Sequence, residues 1–119
     1  MNLTSIFKLL SDESRLRLIV LLAKEELCVC EICGVLEESQ PKVSKILSKL
    51  RDLNLVVSNR KEKFIFYKIK DDNKVINNIL NFISENIEDY PQLVKDSKRL
   101  QQKEKYLDKC SLESLQELN

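Results

Sequence analysis

Between Glu26 and Leu55 the chain reads Glu-Leu-Cys-Val-Cys-Glu-Ile-Cys, a short polar turn, and then Ser-Gln-Pro-Lys-Val-Ser-Lys-Ile-Leu-Ser-Lys-Leu. Few architectures accommodate that order. Ser39 is a good N-cap, and Pro41 falls in the first turn, where its missing N–H costs nothing. Val43, Ile46, Leu47, Leu50 and Leu53 then recur at steps of three and four, the spacing of one buried helical stripe. At about 100° per residue, Pro41, Ser44, Lys45, Ser48 and Lys49 lie on the opposite face. The shorter helix before it has Val29, Ile32, Val35 and Leu36 as its apolar stripe. Two helices joined by a tight turn, the second cationic outside and apolar inside, predict a helix-turn-helix whose second helix reads DNA.

The charge distribution agrees. The formal net charge of the 119 residues is +1, yet residues 39–70 carry nine Lys/Arg against two Asp/Glu, while the segments on either side are each net −3. A one-signed block that coincides with the reading helix and the segment after it is the footprint of a phosphate-contacting surface. A charge run is more often a plain solvated face, but here sign and position coincide. The predicted DNA-facing set is Ser39, Gln40, Lys42, Ser44, Lys45, Ser48 and Lys49, together with Arg60, Lys61 and Lys63 from the segment that follows.

That segment holds two runs rich in branched and aromatic residues, 56–60 and 64–69, joined by Lys61-Glu62-Lys63. They predict a β-hairpin with a glycine-free turn. A hairpin behind a helix-turn-helix is a wing, and Arg60, Lys61 and Lys63 at its tip would reach the phosphate backbone or the minor groove. Asn54 is the helix stop before it.

Upstream, Leu3, Ile6, Phe7 and Leu10 space as a short amphipathic helix. Ser11-Asp12-Glu13 caps a second helix to about Lys24, whose predicted apolar face is Leu16, Ile19, Val20, Leu22 and Ala23. Arg15 and Arg17 flank it as surface or ion-pair residues. Downstream, a long helix is predicted from Asp72 to about Tyr90, ended by Pro91. Its stripe of Val75, Ile76, Ile79, Leu80, Ile83 and Ile87 exceeds what so small a core absorbs and predicts a homodimer interface. The chain divides into a winged helix-turn-helix and dimerisation domain, 1–90, and a helical extension, 91–119, with Leu112, Leu115 and Leu118 in its tail. The predicted fold class is mainly α with a small β-hairpin.

Cys28, Cys30 and Cys33 are spaced C-x-C-x-x-C. In a regular helix Cys30 and Cys33 stand about 60° apart and could share a ligand, whereas Cys28 and Cys30 stand about 200° apart. Three thiolates converge on one atom only where the helix start is irregular or becomes so, so ligation would distort the helix that supports the reading helix. A single cysteine is most simply a small buried hydrophobe; three in six residues favour a shared ligand. Three soft sulfurs without an imidazole suit As(III), Sb(III) or a soft divalent metal. The chain has no histidine, which excludes imidazole zinc sites and His-based catalysis. No acid/base pair, glycine-rich loop or nucleophile constellation points to an enzyme.

With 43% hydrophobic residues, one Gly and two Pro, the composition is that of one helix-rich domain. No signal-like or membrane-spanning run is present, so a cytoplasmic protein with reduced thiols and no membrane partner is expected.

Four short motifs in order, Ser-Asp-Glu-Ser-Arg-Leu-Arg-Leu (11–18), Glu-Leu-Cys-Val-Cys-Glu-Ile-Cys (26–33), Ser-Gln-Pro-Lys-Val-Ser (39–44) and Phe-Tyr-Lys-Ile (66–69), resemble the ArsR/SmtB family of winged-helix metalloregulatory repressors over residues 3–90. The resemblance implies a dimeric repressor that leaves double-stranded operator DNA on binding its inducer. The Cys-Val-Cys-x-x-Cys element is similar to the As(III)/Sb(III) site of the arsenical-resistance repressors, which carries a ligand role onto Cys28, Cys30 and Cys33. Cadmium/lead sensors of the family share Cys-Val-Cys but add N-terminal thiols, and residues 1–10 have none. The chain departs from the family pattern at Lys45-Ile46-Leu47, where Arg-His-Leu is common, and at the wing turn. The rival expectations are a thiol redox sensor using Cys30 with Cys28 or Cys33, a Cd/Pb/Zn-sensing repressor of the same fold, and a structural zinc site with Cys110 as fourth ligand.

Overall fold

The computed structural model describes residues 1–107 and arranges them as α1 (Leu3–Leu10), α2 (Glu13–Lys24), β1 (Leu27–Cys28), α3 (Val29–Leu36), α4 (Gln40–Asp52), β2 (Val56–Lys61), β3 (Phe64–Ile69), α5 (Lys74–Glu85), a 3-10 turn (Ile87–Asp89) and α6 (Pro91–Leu100). Most helices begin on a short polar side chain that takes an orphan N–H of the first turn. Asn2 accepts from the Ser5 N–H at 2.8 Å, Asp12 from Arg15 at 2.9 Å and Asn73 from Ile76 at 3.0 Å. Ser39 does the same for α4, at a longer 3.4 Å from the Lys42 N–H.

The sheet is antiparallel in the order β1-β3-β2. β2 and β3 form the wing hairpin, in register from Val56 opposite Ile69 to Lys61 opposite Phe64, which leaves Glu62 and Lys63 as a two-residue turn. With no glycine there, Glu62 itself takes the left-handed conformation at φ 58°. Asn54, behind α4, is left-handed at φ 61°, a role asparagine fills at helix ends.

One core joins the elements. Leu18, Ile19 and Leu21 of α2, Ile32, Val35 and Leu36 of α3, and Val43 and Leu50 of α4 are almost wholly buried, and Leu55, Val56, Ile76 and Leu80 close it.

The structure departs from the sequence expectation in four places. Strand β1 was not expected. Leu27 and Cys28 pair with Tyr67 and Phe66 of β3, so Cys28 lies in extended backbone rather than on the helix with Cys30 and Cys33. Helix α2 buries Leu18 through Leu22 on all sides, with Leu16 partly buried and Ala23 exposed, instead of one face; it packs against α1, α3, α6 and β3 together. Helix α5 stops at Glu85, because the Asn86 side chain donates to the Phe82 carbonyl at 2.8 Å while its backbone N–H turns back to Phe82 and Ile83. Pro91 therefore opens α6 rather than closing α5, in the first-turn position that suits it.

Helix α6 does not trail away from the body. Leu93, Leu100 and, beyond it, Tyr106 join the same core, and the Arg17 guanidinium grips buried Asp96 with two bonds of 2.9 Å. Asp96 is 2% exposed and also accepts from Gln92 at 3.0 Å. Removing one partner of such a pair strands a charge without water. Arg17→Met is therefore expected to cost about 3–5 kcal/mol of stability, read as a lower urea midpoint. A loss under about 1 kcal/mol would mean that the pair behaves as a surface contact and that α6 is held by its leucines alone.

Candidate DNA-facing surface and thiol site

The reading face is built as its spacing requires. Helix α4 buries Val43, Ile46, Leu47 and Leu50 and leaves Ser39, Gln40, Lys42, Lys45, Ser48 and Lys49 exposed, with Ser44 partly covered. Leu53, expected to continue the stripe, caps the helix and is 39% exposed. Lys42 is committed within the protein: its ammonium pairs with Glu38 at 3.2 Å, and Glu38 also accepts from the Ser14 hydroxyl at 3.0 Å. Arg51, one turn beyond Ser48 and exposed, extends the cationic edge of the same helix and was missed by the sequence reading.

On the wing, Arg60, Lys61 and Lys63 are all exposed. The Lys61 ammonium pairs with Glu26 at 2.6 Å and lies 5.4 Å from the Phe66 ring, tying the wing to the chain entering β1. Lys63 lies over Phe64 at 5.5 Å. Arg60 donates to the Glu62 carbonyl at 3.3 Å, bracing the left-handed turn.

The stripe expected between two copies divides. Ile76 and Leu80 are 3% and 8% exposed and point into the protomer's own core, and Ile79, Ile83 and Ile87 pack partly buried against it. Ile76 and Leu80 are thus core residues, because β3 and α2 need a lid and α5 provides it. Val75 remains exposed, along with Phe82 on α5 and Leu3 and Phe7 on α1, the last three each more than half exposed.

The thiols occupy both sides of a structural boundary. Cys28 is the N-cap of α3, extended at φ −89° and ψ 167°. It forms a reciprocal capping box with Glu31: the Cys28 side chain accepts from the Glu31 N–H, and Glu31 Oε1 accepts from the Cys28 N–H at 3.1 Å. The sequence carries that signal, an acid three residues after the cap, with cysteine standing where serine or threonine is usual. Cys28 is 2% exposed, Cys30 is 9% exposed on the first turn and Cys33 is partly exposed one turn later. Cys28 is a free thiol, whereas Cys30 is disulfide-bonded. Cys110 lies outside the described residues, as do Leu112, Leu115 and Leu118.

As a donor set, three sulfurs with no competing imidazole suit a thiophilic ion. In this conformation, among the described residues, no three Cys, Asp or Glu side chains converge closely enough to hold one. Burial pushes the Cys28 thiol up to about 11 from its ordinary 9.0, with the nearby Glu31 charge adding to it and the Glu31 N–H opposing it. At neutral pH Cys28 is a protonated, shielded cap.

A reading helix on a supporting helix, backed by a hairpin wing, defines a winged helix-turn-helix regulator. Comparison with known proteins places it more narrowly. Residues 12–58 match the family model described as bacterial regulatory protein, arsR family. The arsenical resistance operon repressor of Staphylococcus xylosus is 31% identical over 87 residues, 73% of this chain and 78% of that protein. The chain belongs to the ArsR family. The arsenic resistance transcriptional regulator ArsR1 of Pseudomonas putida is 43% identical over 65 residues, 54% of this chain. At that higher identity the match spans only about half the relative's length, 51%. Among solved structures, the AntR antimony-specific transcriptional repressor superposes with a TM-score of 0.61 at 28% identity, covering 75% of this chain and 79% of that one. Among the described residues, no helix is long and apolar enough to cross a membrane.

The raised Cys28 pKa makes a claim about stability. Below pH 9 folded and unfolded chains both hold the proton; between 9 and about 11 the unfolded chain releases it while the folded one keeps it. Stability attributable to this thiol is therefore present below pH 9 and lost as pH rises towards 11. Urea unfolding of the reduced protein at about pH 8 and about pH 10.5 should show a larger alkaline loss for wild type than for Cys28→Ala, by on the order of 1–2 kcal/mol. Equal losses would mean that Cys28 ionises freely in the fold.

Proposed function

We propose that the chain is a homodimeric transcriptional repressor that binds double-stranded operator DNA through α4 and the wing. On this reading it releases the operator when As(III) or Sb(III) is taken by Cys28, Cys30 and Cys33. The observation that carries it is the place of Cys28. The side chain that caps α3 is one of the three thiols, and α3 packs directly on α4. Drawing the Cys28 sulfur towards Cys30 and Cys33 removes it from the Glu31 N–H and dismantles the capping box. The first turn of α3 then has to reorganise, and α4 loses part of the surface against which it packs. The names of the arsenical-resistance relatives and of the antimony-specific structure support this inducer class. The exposed apolar side chains of α1 and α5 support pairing of two copies.

The metalloid supplies a Lewis-acidic centre that accepts three thiolates, and each cysteine must lose its proton. Burial holds the Cys28 proton more tightly than that of an ordinary thiol. Couplings of this kind amount to about 1–3 kcal/mol, a roughly 5–150-fold change in affinity. By reciprocity, operator DNA weakens metalloid binding by the same factor.

Fluorescence anisotropy of labelled operator, titrated with arsenite under reducing conditions, tests the scheme. Wild type is expected to dissociate, and Cys110→Ser to behave likewise. The Cys28→Ser/Cys30→Ser double variant is expected to stay bound, since serine at 28 is a better cap than cysteine and offers no thiolate. Cys33→Ser should respond more weakly than wild type. Arsenite-driven release from the double variant would sink the proposal.

A second titration separates the DNA face from the rest. Lys45→Ala and Lys49→Ala should weaken operator binding without changing the melting temperature. If Lys49 neutralises a phosphate, its loss should lower the slope of log affinity against log salt by about 1. Unchanged affinity in both variants would remove α4 as the reading helix.

One observation favours a second reading, a thiol redox sensor: Cys30 is disulfide-bonded. Cys28 is free, so the expected pairing of Cys30 with Cys28 is not what this structure holds. Operator release by peroxide, with no arsenite response after reduction, would select that reading.

A further inference from the structure

We propose that residues 91–107 clamp the thiol helix from outside, with Arg99 as the residue that positions it. In that role the segment sets how readily α3 yields to a ligand; the regulatory consequence rests on the function proposed above. Helix α3 has eight residues, too few to be stable unaided. Its last carbonyls have no partners within the helix, and Arg99 takes two of them. Its Nε donates to the Val35 carbonyl at 2.8 Å and its Nη2 to the Gly34 carbonyl at 2.6 Å, while Nη1 pairs with Glu37 at 2.8 Å. A guanidinium there also meets the negative end of the helix dipole.

The second hold is steric. Gly34 is the only glycine in the chain, and its α-carbon faces the Tyr106 side chain so closely that a β-carbon would overlap the ring atoms Cγ and Cδ1. Tyr106 is 8% exposed, and the Arg99 guanidinium sits 5.7 Å from its centroid. Lys103 closes the segment onto the end of α2 through Glu25 at 2.7 Å. The sequence signal for both holds is the lone glycine inside a helix, a position that normally disfavours it.

With its C-terminal end held at Gly34 and Val35, α3 can reorganise only at its first turn, the turn that Cys28 caps. Released from the clamp, the whole helix opens more often. Cys28 then becomes accessible, metalloid binding tightens, and operator binding weakens.

The test uses the full reduced chain and three variants: Arg99→Ala, Arg99→Lys and Gly34→Ala. The first readout needs neither DNA nor metalloid: the rate at which iodoacetamide alkylates Cys28 in the native protein, followed by mass spectrometry. Cys28 stands at the far end of α3 from Arg99, so an effect there reports transmission along the helix. Loss of the charge-assisted bonds in Arg99→Ala should raise the rate roughly tenfold. Arg99→Lys, which keeps the Glu37 pair but cannot serve both carbonyls, should fall between. Gly34→Ala should also raise it, although helix propensity alone predicts slower opening. Operator affinity should fall as the Cys28 rate rises, and the arsenite concentration for half-release should drop.

An unchanged Cys28 rate in Gly34→Ala and Arg99→Lys, both still folded by circular dichroism, would overturn the clamp even if Arg99→Ala failed to fold. Failure of wild type to answer arsenite would overturn the metalloid reading and leave the alkylation result to decide the clamp by itself.

Discussion

An eight-residue helix in water is mostly unfolded, because fixing its first turn costs more than its few hydrogen bonds return. Helix α3 exists here because Ile32, Val35 and Leu36 are buried to within 2% of fully, and because both its ends are finished by groups outside its own ladder. Cys28 and Glu31 close the start, and left-handed Glu37, whose N–H returns to the Cys33 carbonyl, turns the chain out of the end. Arg17, at 3.1 Å from the Leu36 carbonyl, and Arg99 hold the last carbonyls. Helix α4 inherits its orientation from this short element, since only three residues separate Leu36 from the first residue of α4, among them left-handed Glu37 and the Ser39 cap.

The parts of this design visible in the sequence are those that repeat. The stripe of α4 from Val43 to Leu50 and the two hairpin strands each leave a periodic or compositional trace, and the structure places them where that trace puts them. What escaped detection was long-range. Two residues cannot display the alternation of a strand, so β1 is defined only by Tyr67 and Phe66 across from it. The burial of α2 on all sides depends on α6 and β3 arriving from later in the chain. The division of the α5 stripe into Ile76 and Leu80 inside and Val75 outside follows from how far the helix is rotated on the core, which helical spacing alone does not specify. Nothing in the sequence around Asp96 marks it as buried; its burial is intelligible only once Arg17, at a distance of 79 residues along the chain, is opposite it.

The cationic surface is narrower than its charge count. Lys42 and Lys61 sit in the basic block but are held by Glu38 and Glu26. Both ammonium groups are at least half exposed, so each pair is worth under about 1 kcal/mol and is weakened further by salt. A polyanion can therefore compete for them, and they differ from Lys45 and Lys49 in that an internal acid must first be displaced.

Two physical routes connect α6 with the reading helix, and magnitudes decide between them. One passes through charges: Asp96 to Arg17 at 2.9 Å, Arg17 to Glu38 at 3.9 Å, and Glu38 to Lys42 at 3.2 Å. Its first link is strong because it is buried, but the second is long and the third half in water, so a change at Asp96 is damped before it reaches α4. The other passes through α3 as a body, from the Arg99 bonds at Gly34 and Val35 to the apolar contact of α3 with α4. Packed interiors transmit displacement because they cannot be compressed, and the link from α3 to α4 in this second route is buried packing that salt does not screen. The coupling of the C-terminal segment to α4 should accordingly persist at high salt, where an electrostatic chain would fade. The part of α3 with the least support from outside is its first turn, where Cys28 and Cys30 are.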